Sequence, residues 1–578
     1  MKLVEALEIS KRPVLEAAST SEMFLLCGFS PLHLQTFLEA HLRMQFPGRH
    51  FEIKTGLYGD LAGNLERFQA KGMGAACVVI EWADLDPRLG IRSLGSWRTA
   101  DIADLLESVR RQSERLAHLI LRAAEVTPLY VSTPTLPLPP IFFTGSSQAH
   151  PDECMLREVV ASLAVSLSGN TQVKLISPQR LDEISPLGQR YNPKTDLSSG
   201  FPYHLEHASK LAELFAILIK DKQPRKGLIT DLDDTLWAGI LGEIGVEGIC
   251  WDTGSGSHTH ALYQRFLGSL SSAGVLLAVA SKNDAGLVEK ALERNDVLLP
   301  KDNFFPVEAN WGPKSESIKR ILKAWNIAPD DVVFIDDSPM EIAEVQSSFA
   351  QMECILFPKG DPLGIWELLR HLRECFGKTA LSAEDEIRLL SIRNSAAFGD
   401  DGQSRGVRAD DFLRDAEATI TFSFKQDGGD TRAFELINKT NQFNLNGRRF
   451  DQSEWQTFFH NPKAFLLTVT YLDKYGPLGK IAVIMGRRDG SQLNIESWVM
   501  SCRAFSRRIE HQCLKYLFDK LGVDEIGFDY RHTPRNGPMQ TFFEELGGAP
   551  ASPNLRIGKA AFEAKSPVLF HRVVASDT

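Results

Sequence analysis

The chain has 578 residues, of which 43% are hydrophobic and 24% charged, and its formal net charge is −10. At about 150 residues per domain, this length predicts several domains with an ordinary globular composition. The negative charge offers no basic surface, so we expect no nucleic-acid partner. An acidic protein that handles phosphates must supply local positive charge or a metal ion.

The eight cysteines are scattered without a C-x-x-C pair, at positions 27, 77, 154, 250, 354, 375, 502 and 513. This spacing argues against a zinc ribbon and a disulfide framework, and free thiols are typical of a reducing cytoplasm. The first residues, MKLVEALE, lack the apolar segment of a signal peptide. The longest apolar runs are too short to cross a bilayer. We therefore expect a cytoplasmic protein with no membrane partner.

The first part of the chain alternates strands and helices. Apolar runs at 23–28, 75–80 and 129–132 predict buried strands, and 101–126 predicts a helix. This alternation is typical of an α/β sheet. It resumes after residue 220, with predicted strands at 227–230, 275–280 and 332–335, each ending where a polar motif begins.

The last part has a different pattern. Three predicted strands lie close together at 464–471, 480–485 and 493–500, and the stretch 506–521 predicts a helix behind them. Antiparallel strands with a helix indicate an α+β domain. The sequence thus predicts an α/β multidomain protein, with domains at 1–220, 221–378 and 379–578.

Two acidic residues directly follow the predicted strand 227–230. Asp231 and Asp233 are two positions apart, so both carboxylates turn toward the same crevice and repel each other unless a cation lies between them. Mg²⁺ prefers such oxygen ligands. Asp231 is then a candidate nucleophile that attacks phosphorus to form an aspartyl-phosphate. Asp233 is the candidate acid and base for the leaving oxygen and the incoming nucleophile.

Later strand ends carry matching groups. The segment with Ser281, Lys282 and Asn283 offers a hydroxyl and amides to phosphate oxygens, and Lys314 offers a cation to the transferring phosphoryl group. A further carboxylate pair follows the strand 332–335. The predicted magnesium ligands are Asp231, Asp233, Asp336 and Asp337.

The order D-x-D-x-T, S, K and DD resembles the haloacid dehalogenase (HAD) superfamily, and the resemblance adds Thr235 to the substrate-binding residues. The 50-residue interval from Asp231 to Ser281 leaves little room for a large cap domain. An open site of this kind suits a large substrate, such as a protein-bound one.

A narrower resemblance, over roughly residues 220–560, is to the FkbH-like branch of that superfamily. It rests on DLDDTLWAGILGEIGVEG at 231–248, SKND at 281–284, NWGPK at 310–314, NKTNQFN at 438–444 and SCRAFSRRIE at 501–510. The resemblance implies a Mg²⁺-dependent enzyme that takes 1,3-bisphosphoglycerate, a phosphorylated three-carbon substrate. It implies transfer of the glyceryl unit to the phosphopantetheine arm of an acyl carrier protein in polyketide or hybrid natural-product biosynthesis.

This chemistry requires a second nucleophile. The acyl phosphate must be attacked at carbon, since attack at phosphorus yields only free glycerate, and a thiol fits because the product is a thioester. Cys502 is the candidate, because Arg503 and the start of the following helix would lower the pKa of its thiol. Cys250 is the alternative.

The last domain also resembles a GNAT-type acetyltransferase, in which a glycine-containing loop binds the coenzyme A pyrophosphate. Here Ser506 and Arg508 replace both glycines, so we expect poor acetyl-CoA binding. A phosphopantetheine arm lacks that pyrophosphate and can dock there, with His532 as a candidate base.

The first domain resembles SGNH hydrolases. Gly28 and Ser30 stand where that family has its nucleophile block, Asn64 stands for the later Asn, and His204 or His207 for the terminal His. The expected acidic residues are absent, and a serine hydrolase needs its His oriented by a carboxylate. We favour a non-catalytic domain that docks a carrier or partner over a hydrolase.

Two other functions stay open for the whole chain. One is a plain phosphatase with accessory domains and an inert Cys502. The other is an acetyltransferase with a HAD regulatory domain.

Overall fold

The structure is a computed structural model, and it describes residues 1–12, 19–71, 74–92, 102–142, 144–145, 147–221, 223–378, 381, 385, 389, 392, 410, 413–425, 428–440, 443–474, 476–490, 492–501, 504, 507–533, 536–547 and 555–576. The chain forms two compact units, Met1–Lys222 and Gln223–Thr578. The predicted α/β class is confirmed, and the division into three domains stays a prediction.

The first unit is built on a five-stranded parallel sheet. Its strands β1 to β5 are, in order, Ser19–Cys27, Arg49–Thr55, Ala75–Val79, Leu129–Ser132 and Val173–Leu175. Its helices α1 to α9 are Leu3–Lys11, Leu32–Gln45, Leu61–Lys71, Trp82–Leu85, Ile102–Ala124, Pro151–Ser168, Pro178–Ile184, Pro193–Ser199 and Leu205–Lys220. The strand order is β2-β1-β3-β4-β5, so successive connections leave β1 in opposite directions and a crevice opens between β1 and β3.

Burial explains why these segments form a sheet. All four residues of β4, and four of the five in β3, are buried, as expected for parallel strands with helices on both faces. Separate apolar clusters cover the two faces. The long helix α5 turns a repeating set of buried residues, from Ile102 to Ala124, toward the sheet.

The second unit begins with another five-stranded parallel sheet. Its strands β6 to β10 are Gly227–Thr230, Leu276–Ser281, Phe304–Ala309, Val332–Asp336 and Glu353–Leu356. Its helices α10 to α15 are Leu241–Ile244, His258–Ser272, Ala285–Leu292, Lys314–Trp325, Pro339–Ser348 and Pro362–Phe376. The strand order is β10-β9-β6-β7-β8, which places β6 at the centre, between β7 and β9.

The central strands β6, β7 and β9 are buried at every residue, which explains why their short apolar runs were predicted as strands. Residues 223–378 are all described, and between β6 and β7 they contain only the four-residue helix α10 and the core helix α11. The predicted absence of a large cap domain is therefore confirmed for this segment.

The rest of the second unit is a mixed sheet. Its strands β11 to β18 are Thr419–Lys425, Phe443–Asn444, Ala464–Asp473, Gly476–Asp489, Gln492–Met500, Glu525–Phe528, Leu555–Gly558 and Arg572–Ser576. Its described helices, here α16 to α20, are Thr431–Lys439, Gln452–Phe459, Ile509–Leu521, Gly537–Glu545 and Lys559–Lys565. β15 and β16 run parallel but pair only from Leu493 to Ile495 on β15, so the strands part beyond that point.

None of the helices in the described part of the chain combines the length and the apolar character that crossing a membrane requires.

Candidate active site

The site lies at the carboxyl ends of two neighbouring strands. Asp231 follows β6 directly, and Asp336 is the last residue of β9. The Asp231 backbone N–H donates to the Ile335 carbonyl at 2.9 Å, which extends the pairing of the two strands by one residue. Because both strands are parallel, their ends deliver Asp231 and Asp336 to the same edge of the sheet.

Three carboxylates converge there. Oxygens of Asp231, Asp336 and Asp337 lie within 4.8 Å of one another. Asp231 and Asp336 are buried, and Asp337 is half-buried. The Lys314 ammonium, at the start of α13, lies 2.9 Å from Asp231 Oδ2 and 2.5 Å from Asp336 Oδ2. One buried cation thus contacts two buried carboxylates and neutralises only part of their charge.

The electrostatics of this group follow from its burial. Burial would lower the pKa of Lys314, but the charges of Asp231 and Asp336 outweigh it and raise that pKa, so the ammonium stays protonated. Burial, together with the charge of Asp231, raises the pKa of Asp336 to about 6. The carboxylates therefore still lack positive charge when only Lys314 is present.

The residues present fit a divalent cation. Oδ1 of Asp231 is buried and has no hydrogen-bond partner in the described part of the chain. A carboxylate oxygen without a donor is costly to bury, and a cation held by Asp231, Asp336 and Asp337 removes that cost. Oxygen donors with carboxylate charge are the set that Mg²⁺ prefers.

The carboxylate of Asp233 is oriented differently. Its Oδ1 accepts hydrogen bonds from Trp237 Nε1 at 3.0 Å and from the Leu241 backbone N–H at 3.2 Å. Its Oδ2 accepts from Asn283 Nδ2 at 3.0 Å. Burial raises the pKa of Asp233 above its usual range. The Asp233 side chain is thus absent from the three-carboxylate group, although sequence spacing alone had included it among the metal ligands.

The predicted substrate-binding residues occupy distinct places. Ser281 and Asn283 are buried, and Asn283 Nδ2 donates to Ser281 Oγ at 3.0 Å as well as to Asp233, so β6 and β7 are linked at their ends. The Thr235 hydroxyl is buried with no hydrogen-bond partner in the described part of the chain. Lys282 instead points to Glu341 at 2.7 Å, in a half-exposed ion pair.

Sequence reasoning missed one basic residue near the site. Lys359, in the loop after β10, forms an ion pair with Asp234 and lies 3.9 Å from Asp337 Oδ2. Asp234 adopts a positive φ of 51° and accepts a hydrogen bond from the Gly239 backbone N–H. No sequence pattern near residue 359 links it to residue 234. The two residues meet only after folding, which brings the loop after β10 next to the loop after β6.

The acyl-transfer candidates are placed only in part. Cys502, Arg503 and Ser506 lie outside the described residues. Arg508 has a positive φ of 57°, and its guanidinium donates to Asp410 Oδ1 at 2.5 Å and to the Val568 carbonyl at 2.8 Å. His532 is exposed. The roles predicted for these residues stay predictions.

The alternative thiol, Cys250, is half-buried, and Ser257 Oγ donates to its sulfur at 3.4 Å. Cys250 also forms an isolated antiparallel bridge with Ala238 in the loop after β6. This thiol is therefore fixed within the loop that follows the Asp231 motif.

In the first unit, a cavity of about 1040 Å³ opens at the carboxyl ends of β1 and β3, where Gly28 and Asp84 are among its lining residues. Such a crevice is the usual ligand position in a parallel sheet of this order. Burial raises the pKa of Asp84 to about 7. The Asp84 carboxylate sits where a side chain at position 28 would stand, so Gly28 is needed for close approach.

The hydrolase candidates in this unit have structural partners. Asn64 bonds the backbone of Leu57 through both its oxygen and its nitrogen. The His207 ring contacts the hydroxyls of Thr135 at 3.0 Å and Ser185 at 2.9 Å, and burial lowers its pKa to about 3. Both His207 nitrogens are thus engaged away from Ser30, and the described residues form no serine-histidine pair at that position.

No protein-family model and no curated protein matches the chain. Among solved structures, the N-terminal part of the protein BF1531 from Bacteroides fragilis, containing a phosphatase domain complexed with Mg, aligns at 17% identity with a TM-score of 0.51. The alignment covers 66% of this chain and 100% of that chain. The glycosyltransferase VinC in complex with dTDP aligns at 12% identity over 65% and 95% of the two chains, with a TM-score of only 0.13. The BF1531 likeness shows a shared fold.

Proposed function

We propose that the chain is a Mg²⁺-dependent phosphoryl-transfer enzyme of the HAD type, acting as a phosphatase. The observation that supports this most directly is the buried group of Asp231, Asp336 and Asp337, with Lys314 bonded to two of the three. Mg²⁺ held by these carboxylates would neutralise charge on the phosphoryl group. The phosphatase fragment of BF1531, complexed with Mg, has the same fold and supports the proposal.

Each step of the proposed phosphate hydrolysis can be assigned to a residue of this site. The Asp231 carboxylate attacks phosphorus, the bond to the leaving oxygen breaks, and an aspartyl-phosphate forms. Asp233, whose raised pKa favours a retained proton, gives that proton to the leaving oxygen. Water then attacks the aspartyl-phosphate while Asp233 takes its proton, which releases phosphate and restores Asp231. Lys314 holds the Asp231 carboxylate in place through the 2.9 Å contact.

The test is phosphate release from 1,3-bisphosphoglycerate and from p-nitrophenyl phosphate in Mg²⁺ buffer. Asp231→Asn keeps the side-chain shape but removes the nucleophile, so release from p-nitrophenyl phosphate and from the phosphomonoester of 1,3-bisphosphoglycerate should fall to background while the circular dichroism spectrum stays unchanged. Glu316→Gln, which removes an exposed carboxylate on α13, is the matched control and should retain activity. Turnover of Asp231→Asn near that of the unaltered enzyme would refute the assignment.

The finer proposal is the FkbH-like activity. In it, the enzyme removes both phosphates of 1,3-bisphosphoglycerate and transfers the glyceryl unit as a thioester to an acyl carrier protein. Support comes from the residues 438–444 and 501–510, which resemble that branch outside the HAD segment. The open face of the site, with no cap domain between β6 and β7, admits a carrier-bound group.

The thioester requires attack of a thiolate on the acyl carbon, with phosphate as the leaving group. Cys502 is our candidate, and Cys250 is the alternative. A thioester on the enzyme then exchanges with the carrier thiol at little cost, because one thioester replaces another. Asp231 meanwhile removes the phosphomonoester, so the two phosphates leave by different chemistry.

Peptide mass mapping after incubation with 1,3-bisphosphoglycerate tests this relay. A glyceryl adduct that hydroxylamine removes should appear on Cys502, and Cys502→Ala should lose the adduct while keeping Asp231-dependent phosphate release. Cys250→Ala is the matched comparison. If Cys502→Ala loads the carrier at the normal rate, the relay through Cys502 is wrong.

A further inference from the structure

A second group of candidate metal ligands lies in the same unit, away from Asp231. Glu353 is the first residue of β10, and His371 and Cys375 are four positions apart on one face of α15. Cys375 Sγ is 3.5 Å from His371 Nε2 and 3.9 Å from Glu353 Oε2. His371 Nε2 is 2.5 Å from Glu353 Oε1. The thiol, imidazole and carboxylate groups of these residues therefore converge on one position.

This group belongs to the opposite end of the sheet. β10 runs parallel to β9, with Leu356 paired to Asp336 and Glu353 paired to Val333. Glu353 precedes Leu356, the partner of Asp336, by three residues, so the two positions are about 10 Å apart along the strand. The ligands are thus distinct from the proposed Mg²⁺ site.

The distances match the geometry of a tetrahedral zinc site. Bond lengths of about 2.3 Å to sulfur and about 2.0 Å to nitrogen place the two ligand atoms about 3.6 Å apart. The Cys375–His371 separation is 3.5 Å. The His371 and Glu353 atoms would have to separate by about 1 Å, and His371 can move because its side chain is 45% exposed.

Without an ion, hydrogen bonds hold these side chains, and the Cys375 thiol can donate to Glu353 Oε2 at 3.9 Å. His371 Nε2 faces both the Glu353 carboxylate and the Cys375 sulfur. With a proton, this nitrogen can donate to Glu353 but cannot accept from the thiol. Without one, it can accept from the thiol but then meets the carboxylate lone pairs at 2.5 Å. A cation attracts all three atoms at once.

Arg225 supports the Glu353 carboxylate from outside the group. Its guanidinium pairs with Glu353 Oε2 and donates to the Val332 carbonyl at 3.0 Å, and its backbone N–H donates to the Cys375 carbonyl at 2.9 Å. Such outer partners orient metal-binding carboxylates. Arg225 stands two residues before β6, so the group joins the end of α15 to the strand that leads to Asp231.

We propose that Glu353, His371 and Cys375 bind a divalent transition-metal ion of the zinc class, which connects α15 to the start of β10. The mixed sulfur, nitrogen and oxygen donor set favours Zn²⁺ over Mg²⁺, which prefers oxygen alone. Three protein ligands leave a fourth position for water. Spacing arguments that look for paired cysteines miss this group, because one ligand comes from a strand and two from a helix.

The test uses the full chain after chelation and dialysis, titrated with Co²⁺ and then Zn²⁺ in excess Mg²⁺. Co²⁺ should give a thiolate-to-cobalt charge-transfer band and intense visible absorption typical of tetrahedral coordination, at one equivalent per chain. Zn²⁺ should abolish both and remain bound when measured by elemental mass spectrometry. Zn²⁺ should also raise the melting temperature of the chelated protein.

Variants assign the ligands. Cys375→Ser should lose the charge-transfer band, and His371→Gln, a change at a half-exposed position, should weaken Co²⁺ binding at least tenfold without affecting folding. Cys354→Ser, which alters the next residue after Glu353, should keep the band, as should Asp231→Asn. A band of equal strength in both Cys375→Ser and His371→Gln, or Co²⁺ binding without any sulfur band in the unaltered chain, would overturn the proposal.

Discussion

Replacing Lys314 by Met tests the electrostatic account of the site most directly. The substitution keeps an unbranched side chain of similar length but removes the cation that contacts Asp231 at 2.9 Å and Asp336 at 2.5 Å. The three side chains are at most 9% exposed, so water cannot replace the lost charge. Removing one partner from a buried ion pair costs about 3–5 kcal/mol, because the remaining charge stays buried and unpaired.

For a unit of this size, that cost corresponds to a melting temperature lower by roughly 4–7 °C. The difference in melting temperature between Lys314→Met and the unaltered protein should be larger in EDTA than in Mg²⁺. Adding Mg²⁺ should therefore raise the melting temperature of Lys314→Met more than that of the unaltered protein. Loss of a preorganised cation also predicts a fall in kcat of about 10²–10³. Differential scanning calorimetry and phosphate release measure the two effects.

Lys319→Met is the matched control, since Lys319 lies on the same helix with its side chain 72% exposed. Substitution of an exposed residue of this kind should change stability by no more than about 0.5 kcal/mol. Equal melting temperatures for Lys314→Met and Lys319→Met in EDTA, with equal responses to Mg²⁺, would refute the role assigned to the buried cation.

The remaining predictions concern separate features. Exhaustive chelation should stop phosphate release and Mg²⁺ should restore it; full activity after chelation would contradict the three-carboxylate metal site. Asp233→Asn should slow an alkyl phosphate far more than p-nitrophenyl phosphate, whose leaving group needs no proton; equal losses would argue against Asp233 as the acid. Acetyl-CoA should show no low-micromolar affinity in calorimetry, because Ser506 and Arg508 replace the loop glycines; such affinity would revive the acetyltransferase alternative. Burial raises the pKa of Asp84 to about 7, so the folded chain holds a proton there that the unfolded chain loses near pH 4, and stability falls as the pH rises from about 4 through 7. Asp84→Asn should therefore raise the melting temperature more at pH 8 than at pH 5, unlike the exposed control Glu125→Gln, and an equal effect at both pH values would contradict this.

The strands of both parallel sheets were predictable because burial on both faces leaves a continuous apolar run. Ile229 and Phe334, for example, are fully buried, and each lies in a run that ends at an acidic residue. The polar residue that follows such a run must lie at the carboxyl edge of the sheet. Sequence therefore located Asp231 and Asp336 together, although 105 positions separate them.

Side-chain direction was less predictable. The alternation of Asp231 and Asp233 suggested a shared ligand role, yet Trp237 and Leu241 donate to Asp233 and turn its carboxylate elsewhere. Trp237 lies in the loop after β6 and Leu241 is the first residue of α10, and the chain bends back between them and the strand. The bend depends on the positive φ of Asp234 and on its pairing with Lys359, which no local pattern indicates.

Lys314 lies between these two cases: its role was predictable from the sequence, but its contacts were not. Lys314 is the first residue of α13 and follows Pro313 at the N-cap, and its side chain extends to Asp231 and Asp336 at the strand ends. Sequence could assign it a cationic role because a phosphate site in an acidic chain needs one. Sequence could not assign its contacts, because Asp231 and Asp336 become neighbours only when β6 pairs with β9. The charge balance of the site is thus a property of strand pairing: one register shift between β6 and β9 would leave Lys314 facing a single carboxylate and remove the reason for a divalent cation.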